Sequence, residues 1–251
     1  MDGTYTDCYA GWATDYDLFG EIDAVNSGEQ AFLDGVLASC NAKMVLDCAC
    51  GTGQHLVMLS RLGYEVYGSD FSEEMLAVCR ANLQSRGIGA ETKHCDYRAL
   101  ESVWDRRFDA VLCMTQSLNH MLTHDDLVAA LASMRGRIRP GGVLITTQST
   151  THRTLKDDFR FDLVVNNRDF SRVFARDIEE HFQTIHMLDV FHGEQRRGME
   201  RHDIRIRIIL DEEYRALLQE AGFAKINVYG GYDRRPYDPS ASMKLIVVAG
   251  V

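Results

Sequence analysis

The chain is poor in the features that mark membrane and secreted proteins. No apolar run approaches the roughly 20 residues needed to cross a bilayer. Prolines are also few, with three in 251 residues. The segment Met1–Tyr5 has no basic region followed by an apolar core, so no signal peptide is predicted. We therefore expect a cytoplasmic protein without a membrane partner.

The cysteines do not form a pattern typical of a metal or disulfide site. There are seven, an odd number, and no C-x-x-C pair is present. Cys48 and Cys50 form C-x-C, but no second cysteine or histidine pair follows at zinc-site spacing. The pattern predicts buried free thiols in a reducing compartment and no metal.

Positive charge is also scarce. Lysine and arginine number 27 against 37 acidic residues, which gives a formal net charge of −10. Proteins that hold phosphate backbones are usually basic. The balance argues against nucleic acid as a partner, although it does not exclude a local basic patch.

What is present is an alternation of short apolar runs and helical stretches. Strands are predicted to end at Asp47 and Asp70, before Asp96, and near Cys113, and helices over Gln54–Leu62, about 72–85 and 125–138. This order predicts an α/β, doubly wound parallel sheet with helices on both faces. Because ligands bind outside the carboxyl ends of such strands, we expect these acidic residues along one rim.

The pattern changes after Thr150. Strands are predicted at Phe170–Phe174, Glu180–Val190 and Met199–Ile209, with turns near Arg176–Asp177 and His192–Gly193. We expect a small antiparallel β cap over 151–210, inserted after the fifth strand. The core then comprises 1–150, beginning with a helical segment over 1–40, and 211–251.

A glycine loop follows the first predicted strand. Gly51 and Gly53 let the backbone turn sharply and pass close to a ligand. Asp70, about 20 positions on, suits ribose hydroxyls. A nicotinamide cofactor has the same needs, but Leu56 stands where the third glycine of the dinucleotide fingerprint belongs.

At these residues the chain resembles the class I methyltransferases that use S-adenosylmethionine (SAM). The similar segments are Asp47–Gly53, Ser69–Leu76, Cys95–Arg98 and Arg139–Gly142, the last of which is predicted to be a turn before the fifth strand. The resemblance implies a Rossmann-like, mostly parallel seven-stranded sheet, SAM as cofactor, Asp70 on the ribose and Asp96 on the adenine amine. The cofactor-binding residues it implies are Asp47, Ala49, Gly51, Gly53, Asp70, Phe71, Met75, Asp96, Tyr97, Met114, Tyr9 and Trp12.

Two further segments resemble the small-molecule branch, which includes glycine/sarcosine and amino-sugar N-methyltransferases. Ser117–Thr123 is similar to its S-L-x-H-L segment, and Tyr9–Phe19 to its aromatic N-terminal helix. One departure concerns Thr146–Ser149, where glycine N-methyltransferases carry an arginine for the substrate carboxylate. The nearest arginine is Arg153, which puts glycine in doubt as the substrate.

Methyl transfer from a sulfonium needs mainly in-line positioning and exclusion of water. By the resemblance, His120 is the candidate base or orienting group, and a backbone-bonded structural histidine is the alternative. Tyr9 and Tyr16 lie seven positions apart, which places them on one face of a helix. They are candidates for a lid whose rings favour the sulfonium, or for a core stripe. Tyr16 is the second catalytic candidate.

Four residues are candidates for holding the substrate: Arg153, Asn119, Arg201 and Arg205. The last two alternate with Arg207 on a predicted strand and share its face. They either meet an anionic substrate or form a solvated sheet face.

Together these features predict a SAM-dependent methyltransferase acting on nitrogen or oxygen of a small polar metabolite. Three alternatives stay open: a non-catalytic SAM-binding or assembly protein, a methyltransferase of nucleic acid or protein, and a nicotinamide oxidoreductase. Amino-methylating DNA enzymes would need an N/D-P-P-Y/F box where the chain has Met114–Ser117. The sequence leaves monomer and homodimer equally open.

Overall fold

A computed structural model describes residues 8–9, 11–20, 22–24 and 26–251. The helices are α1 (Ala13–Tyr16), α2 (Ser27–Ser39), α3 (Gln54–Arg61), α4 (Glu73–Ser85), α5 (His124–Gly136) and α6 (Asp211–Glu220). The strands are β1 (Met44–Asp47), β2 (Glu65–Asp70), β3 (Glu91–His94), β4 (Phe108–Cys113), β5 (Ile138–Gln148), β6 (Phe161–Asn166), β7 (Phe170–Ile178), β8 (Phe182–His192), β9 (Arg197–Arg207), β10 (Lys225–Tyr229) and β11 (Leu245–Gly250).

Seven strands form one sheet in the order β10-β11-β5-β4-β1-β2-β3. The pairs among β1 to β5 are parallel, and β11 runs antiparallel to both neighbours. One buried cluster packs α5 and α6 on one face of the sheet, and a second packs α2, α3 and α4 on the other. The predicted doubly wound fold is confirmed. Its strand order places the ends of β1, β2, β4 and β5 along one rim.

The segment Arg139–Gly142 differs from its predicted role as a turn before the fifth strand. It lies inside β5, at a register shift opposite Phe108–Ala110. Gly141 has φ +82°, and a Cβ on Gly142 would collide with the carbonyl oxygen of Asp109. The glycines therefore form an irregularity within a continuous strand, which requires the left-handed backbone and close approach that glycine permits.

The cap predicted after the fifth strand is a four-stranded antiparallel sheet in the order β6-β7-β8-β9. Its first strand, β6, was not predicted. The turn expected near Arg176–Asp177 is wrong, because β7 continues to Ile178 and the chain reverses at Glu179–His181. The turn after His192 is confirmed. The misplaced turn does not change which side chains share a face of the cap sheet, because residues along β7 still alternate between the two faces.

The N-terminal segment is not one continuous helix over 1–40. Its described part contains α1, a short 3-10 helix over Asp17–Phe19 and α2, and Tyr9 precedes α1 in a turn. Residues 1–7 of the predicted segment, and Ala10 of the aromatic motif, lie outside the described residues. Tyr9 and Tyr16 nevertheless meet, with ring centroids 6.0 Å apart. Their contact is made by the turn before α1, not by two helical turns.

Candidate functional site

The glycine loop joins β1 to α3 with two residues in the left-handed region. Gly51 has φ +51° and Gly53, the N-cap of α3, has φ +94°. A Cβ on Gly53 would lie 2.8 Å from the Sγ of Cys79 on α4. Position 53 therefore requires glycine both for its backbone conformation and for the packing of α3 against α4.

Asp70, at the end of β2, supports this loop. Its Oδ2 accepts the Gly51 N–H at 2.8 Å, and its Oδ1 accepts the Ser72 N–H at 2.9 Å. Each carboxylate oxygen has further acceptor capacity, which suits a pair of vicinal hydroxyls. The carboxylate thus fits the ribose of SAM at the position that the sequence predicts.

Asp47 takes part in a charge network that the sequence did not reveal. Its side chain is 1% exposed, and its Oδ2 lies 3.5 Å from Nδ1 of His55, whose Nε2 lies 3.5 Å from Oε1 of Glu29. Tyr232 donates to the same Glu29 oxygen at 2.6 Å. Burial alone lowers the pKa of His55, but the two carboxylates outweigh it and raise the pKa to about 10. A charged imidazole therefore lies directly under the loop.

Asp96 follows β3 and is held by Arg98. The Arg98 guanidinium donates to both Asp96 oxygens, and its other amino group donates to Asp126 at 2.5 Å. The adjacent Tyr97 is buried and donates its hydroxyl proton to the Ser117 carbonyl at 2.7 Å. The pair places a carboxylate acceptor and a fixed ring at this edge. Both groups fit an adenine amine and its base plane.

The N-terminal segment is tied onto the glycine loop. The Thr52 hydroxyl donates to Asp17 Oδ1 at 2.6 Å, and the Asn82 amide donates to the other Asp17 oxygen at 3.0 Å. Gly11 donates its N–H to Glu74 on α4. Asp17 belongs to the aromatic segment Tyr9–Phe19 noted in the sequence, but its contacts with Thr52 and Asn82 are visible only in the fold. The segment is thus held over the rim where SAM is predicted.

Four rings meet above this rim: Tyr9, Trp12, Tyr16 and His120. Tyr9 stacks on Trp12 with centroids 5.6 Å apart, and Trp12 meets Tyr16 edge-on at 5.3 Å. The Tyr9 hydroxyl lies 3.0 Å from Nε2 of His120. Burial lowers the pKa of His120 to about 4, so its imidazole is neutral near pH 7. Burial and the nearby Asp70 charge raise the pKa of Tyr16 to about 12.

The backbone just after β4 is unusual. Thr115 and Gln116 have φ of +55° and +66°, and Thr115 is β-branched. Their N–H groups donate to the Thr147 hydroxyl and carbonyl at 2.9 and 2.8 Å. Such conformations persist where surroundings enforce them, and they concentrate at functional sites. The strain marks the junction of β4 and β5 as part of the site.

The remaining predicted cofactor residues lie around the same rim. Met75 and Met114 are buried, Phe71 is partly buried with its ring 5.9 Å from that of His94, and Ala49 donates its N–H to Asp47 at 3.2 Å. Their direct contact with SAM stays a prediction.

The three predicted substrate arginines each form an ion pair with an exposed carboxylate. Arg201 and Arg205 lie on the exposed face of the cap, paired with Asp203 and Glu179 at 2.8 Å, while Arg153 pairs with Asp158 at 2.9 Å. Buried Asn119 donates to the Arg207 carbonyl at 2.9 Å, which ties β9 to the segment after β4. A substrate role for these residues stays a prediction. The alternation of residues predicted that Arg201 and Arg205 share a face of the strand, but not whether that face is turned toward the rim.

The inner face of the cap carries a buried ion pair that the sequence did not predict. Arg172 on β7 is fully buried and donates two hydrogen bonds to Asp189 on β8, both at 2.6 Å. It also donates to the Asp15 carbonyl at 3.1 Å, and its guanidinium carbon lies 5.0 Å from the Trp12 ring centre. The sequence held one sign of this burial, because Arg172 shares a strand face with Phe170 and Phe174.

Comparison with known proteins agrees with this geometry. Residues 45–142 match the family model described as a methyltransferase domain. That stretch of the chain is therefore similar to methyltransferase domains, and the relatives and solved structures described below include SAM-dependent enzymes. The family and cofactor predictions are confirmed at this level.

Individual curated proteins are similar to parts of this chain. A glycine/sarcosine N-methyltransferase of Aphanothece halophytica is 31% identical over 150 residues, which cover 60% of this chain and 57% of that protein. The dTDP-3-amino-3,6-dideoxy-alpha-D-glucopyranose N,N-dimethyltransferase of Streptomyces fradiae is 37% identical over 107 residues, 43% of this chain and 40% of that protein. The chain therefore spans about half the length of these relatives.

A solved structure matches the fold over nearly its full length. A SAM-dependent methyltransferase from Clostridium acetobutylicum superposes with a TM-score of 0.80 at 18% identity, over 98% of this chain and 99% of that one. The match includes the region of the cap. Separately, within the described residues, no helix is long and apolar enough to cross a membrane.

Proposed function

We propose that this protein transfers the methyl group of SAM to an amine nitrogen of a small polar metabolite. The glycine loop, Asp70 and Asp96 would hold the cofactor, and the N-terminal aromatic cluster would close over it. Bound SAM supplies an activated methyl on sulfur. In-line attack by the amine lone pair would break the carbon–sulfur bond and leave its electron pair on sulfur. The nitrogen then releases its proton to water.

One observation that favours nitrogen over oxygen is the burial of His120 against the Tyr9 hydroxyl, which lowers the pKa of its imidazole to about 4. A hydroxyl acceptor needs a base whose pKa lies near the working pH. Neither neutral His120 nor Tyr16, whose pKa is about 12, meets that need. An amine needs only to be unprotonated on arrival and then correctly oriented. The Tyr9–His120 pair at the β4 rim suits such orientation. The relatives named as N-methyltransferases agree with this choice.

The test is a mass-spectrometric screen with SAM and matched panels of amines, amino acids, amino sugars, organic acids and alcohols. We expect amines to gain a methyl mass, with one S-adenosylhomocysteine (SAH) formed per methyl. Methylation of alcohols or acids alone would overturn the nitrogen assignment. SAM binding without any transfer across the panels would instead favour the non-catalytic SAM-binding alternative.

A further inference from the structure

A cavity lies between the chain just after β4 and β5 and the inner face of the cap. Its volume is about 320 Å³, which falls within the range of small-molecule sites. The end of β5 contributes Ser149 and Thr150, and the left-handed Gln116 joins them from β4. None of the sequence predictions pointed to this cavity.

Two charges in the cavity compensate each other. Arg176 on β7 pairs with Asp162 on β6 at 2.9 Å and also donates to the Phe159 carbonyl. The remaining charged group of the lining is Lys244, just before β11. Within the described part of the chain Lys244 forms no ion pair, and its Nζ lies 5.5 Å from the Tyr232 ring centre. Glu29 lies beyond that ring, and its carboxyl feels the Lys244 charge. The residues that line the cavity nevertheless sum to one positive charge.

Two amides add hydrogen-bond donors to that charge. Gln116 Oε1 accepts from the Ser149 N–H at 3.2 Å and the Thr150 hydroxyl at 2.7 Å, which fixes its orientation and turns its Nε2 donors away from both. Gln183 on β8 lines the cavity while only 4% exposed. Within the described residues no hydrogen bond is recorded for its amide. Its side-chain amide can therefore donate a hydrogen bond to a molecule in the cavity.

We propose that this cavity binds an anionic group of the methyl acceptor, a carboxylate or a phosphate, through Lys244, Gln116 and Gln183. This rests on the proposed function, since the anion belongs to the molecule that is methylated. A lysine ammonium and amide donors form charge-assisted and neutral hydrogen bonds with either anion. The site would take the place of the arginine after the fifth strand that the chain lacks.

The sheet geometry also limits the acceptor's shape. Leu245 pairs with Gln148, so Lys244 lies beside the end of β5 on its far side from β4. Two strand spacings separate β11 from β4, about 10 Å. An acceptor that reaches from Lys244 to the β4 rim therefore carries its anion several bonds from the amine. This geometry disfavours glycine, in which one carbon separates the two groups.

The test measures anion binding directly on the SAH-saturated protein. Acetate and inorganic phosphate are titrated by calorimetry into the wild type, Lys244→Met and the control Lys225→Met, an exposed lysine on β10. We expect saturable binding of one anion, weakened about tenfold or more in Lys244→Met and unchanged in Lys225→Met. Preference for acetate or phosphate identifies the anion class. Lys244→Arg keeps the charge and should retain binding.

Equal anion binding by wild type and Lys244→Met, or no saturable binding in the wild type, would overturn the proposal. SAH affinity of each variant reports whether its fold is intact. Acceptors that prove active are then compared with their uncharged amides or dephosphorylated forms, which we expect to react more slowly. Anion binding without methyl transfer to any amine would contradict the proposed function alone. Amine methylation without anion binding would contradict this inference alone.

Discussion

Asp70 accepts the backbone N–H of Gly51 at 2.8 Å, so the end of β2 holds the glycine loop of β1 in place. The same carboxylate accepts the Ser72 N–H that begins the next helix. One side chain therefore couples two strand ends and, in the proposed function, the ribose. Both oxygens of the Asp70 carboxylate act as acceptors, and an amide of the same size would replace one of them with a donor.

Asp70→Asn should weaken SAM binding about 10- to 100-fold, because one acceptor becomes a donor facing N–H groups and hydroxyls. Isothermal calorimetry with SAM measures it. Glu91→Gln, an exposed carboxylate on β3, is the matched control and should bind normally. Unchanged affinity in Asp70→Asn would place the ribose elsewhere.

His120→Ala should lower kcat with amine acceptors while SAM affinity changes little. The imidazole lies 3.0 Å from the Tyr9 hydroxyl in the aromatic cluster, and it follows β4, whereas the glycine loop follows β1. Tyr9→Phe removes the same hydrogen bond and should reproduce part of the loss. Steady-state kinetics and SAM calorimetry on both variants separate the two effects. Full turnover in His120→Ala would make His120 a structural residue.

The pKa of His120 also predicts an acid limit to stability. Its folded pKa, about 4, lies below the ordinary value of 6.5. Between these values the unfolded state binds the proton and the folded state does not, so stability falls as pH drops through this window. Urea unfolding from pH 7 to pH 4 measures it. His120→Phe should flatten this slope, and an identical slope in the variant would show that other groups dominate.

His55 should have the opposite effect at alkaline pH. Its pKa is raised from 6.5 to about 10 by Asp47 and Glu29. The stabilisation is complete below about pH 6.5 and is lost as pH rises toward 10. His55→Leu leaves two carboxylates without their cation and should cost about 3–5 kcal/mol near neutral pH. Urea unfolding across this range tests both statements.

The control for His55 is His124→Leu, whose pair with Glu220 is about half exposed. Exposed pairs contribute about 0–1 kcal/mol, so little change is expected. A similar small effect in His55→Leu would mean that its carboxylates are solvated or protonated in the variant.

Arg172→Met should destabilise the protein by about 3–5 kcal/mol, because it leaves Asp189 buried without its partner. Replacing both residues, Arg172→Met with Asp189→Leu, should recover most of this loss, since an apolar pair needs no compensation. Arg80→Met, which breaks an exposed pair with Glu73, should change stability by no more than about 1 kcal/mol. Denaturant unfolding of the four proteins compares them. A double variant no better than the single one would contradict this account.

The sequence predicted the parts of the site that depend on local backbone chemistry. Gly53, Asp70 and Ser72 follow from strand ends, left-handed turns and helix caps, which short-range sequence largely determines. It placed the cap after the fifth strand for the same reason, because two-residue alternation is visible locally. It overestimated the N-terminal helix, because the seven-residue spacing of Tyr9 and Tyr16 also fits a turn folded back on α1.

Only the tertiary structure decided the contacts between segments that are distant in sequence. His55 meets Glu29, and Arg172 meets Asp189 under Trp12, through packing of elements whose separation in sequence gives no period to detect. The face on which Arg201 lies depended on which side of the cap covers the rim, and alternation gives faces without naming the buried one. The sequence by itself thus determined the glycine loop and the alternation of strands and helices along the chain. The three-dimensional packing decided which charges are buried around it, because burial and pairing are properties of neighbours in space.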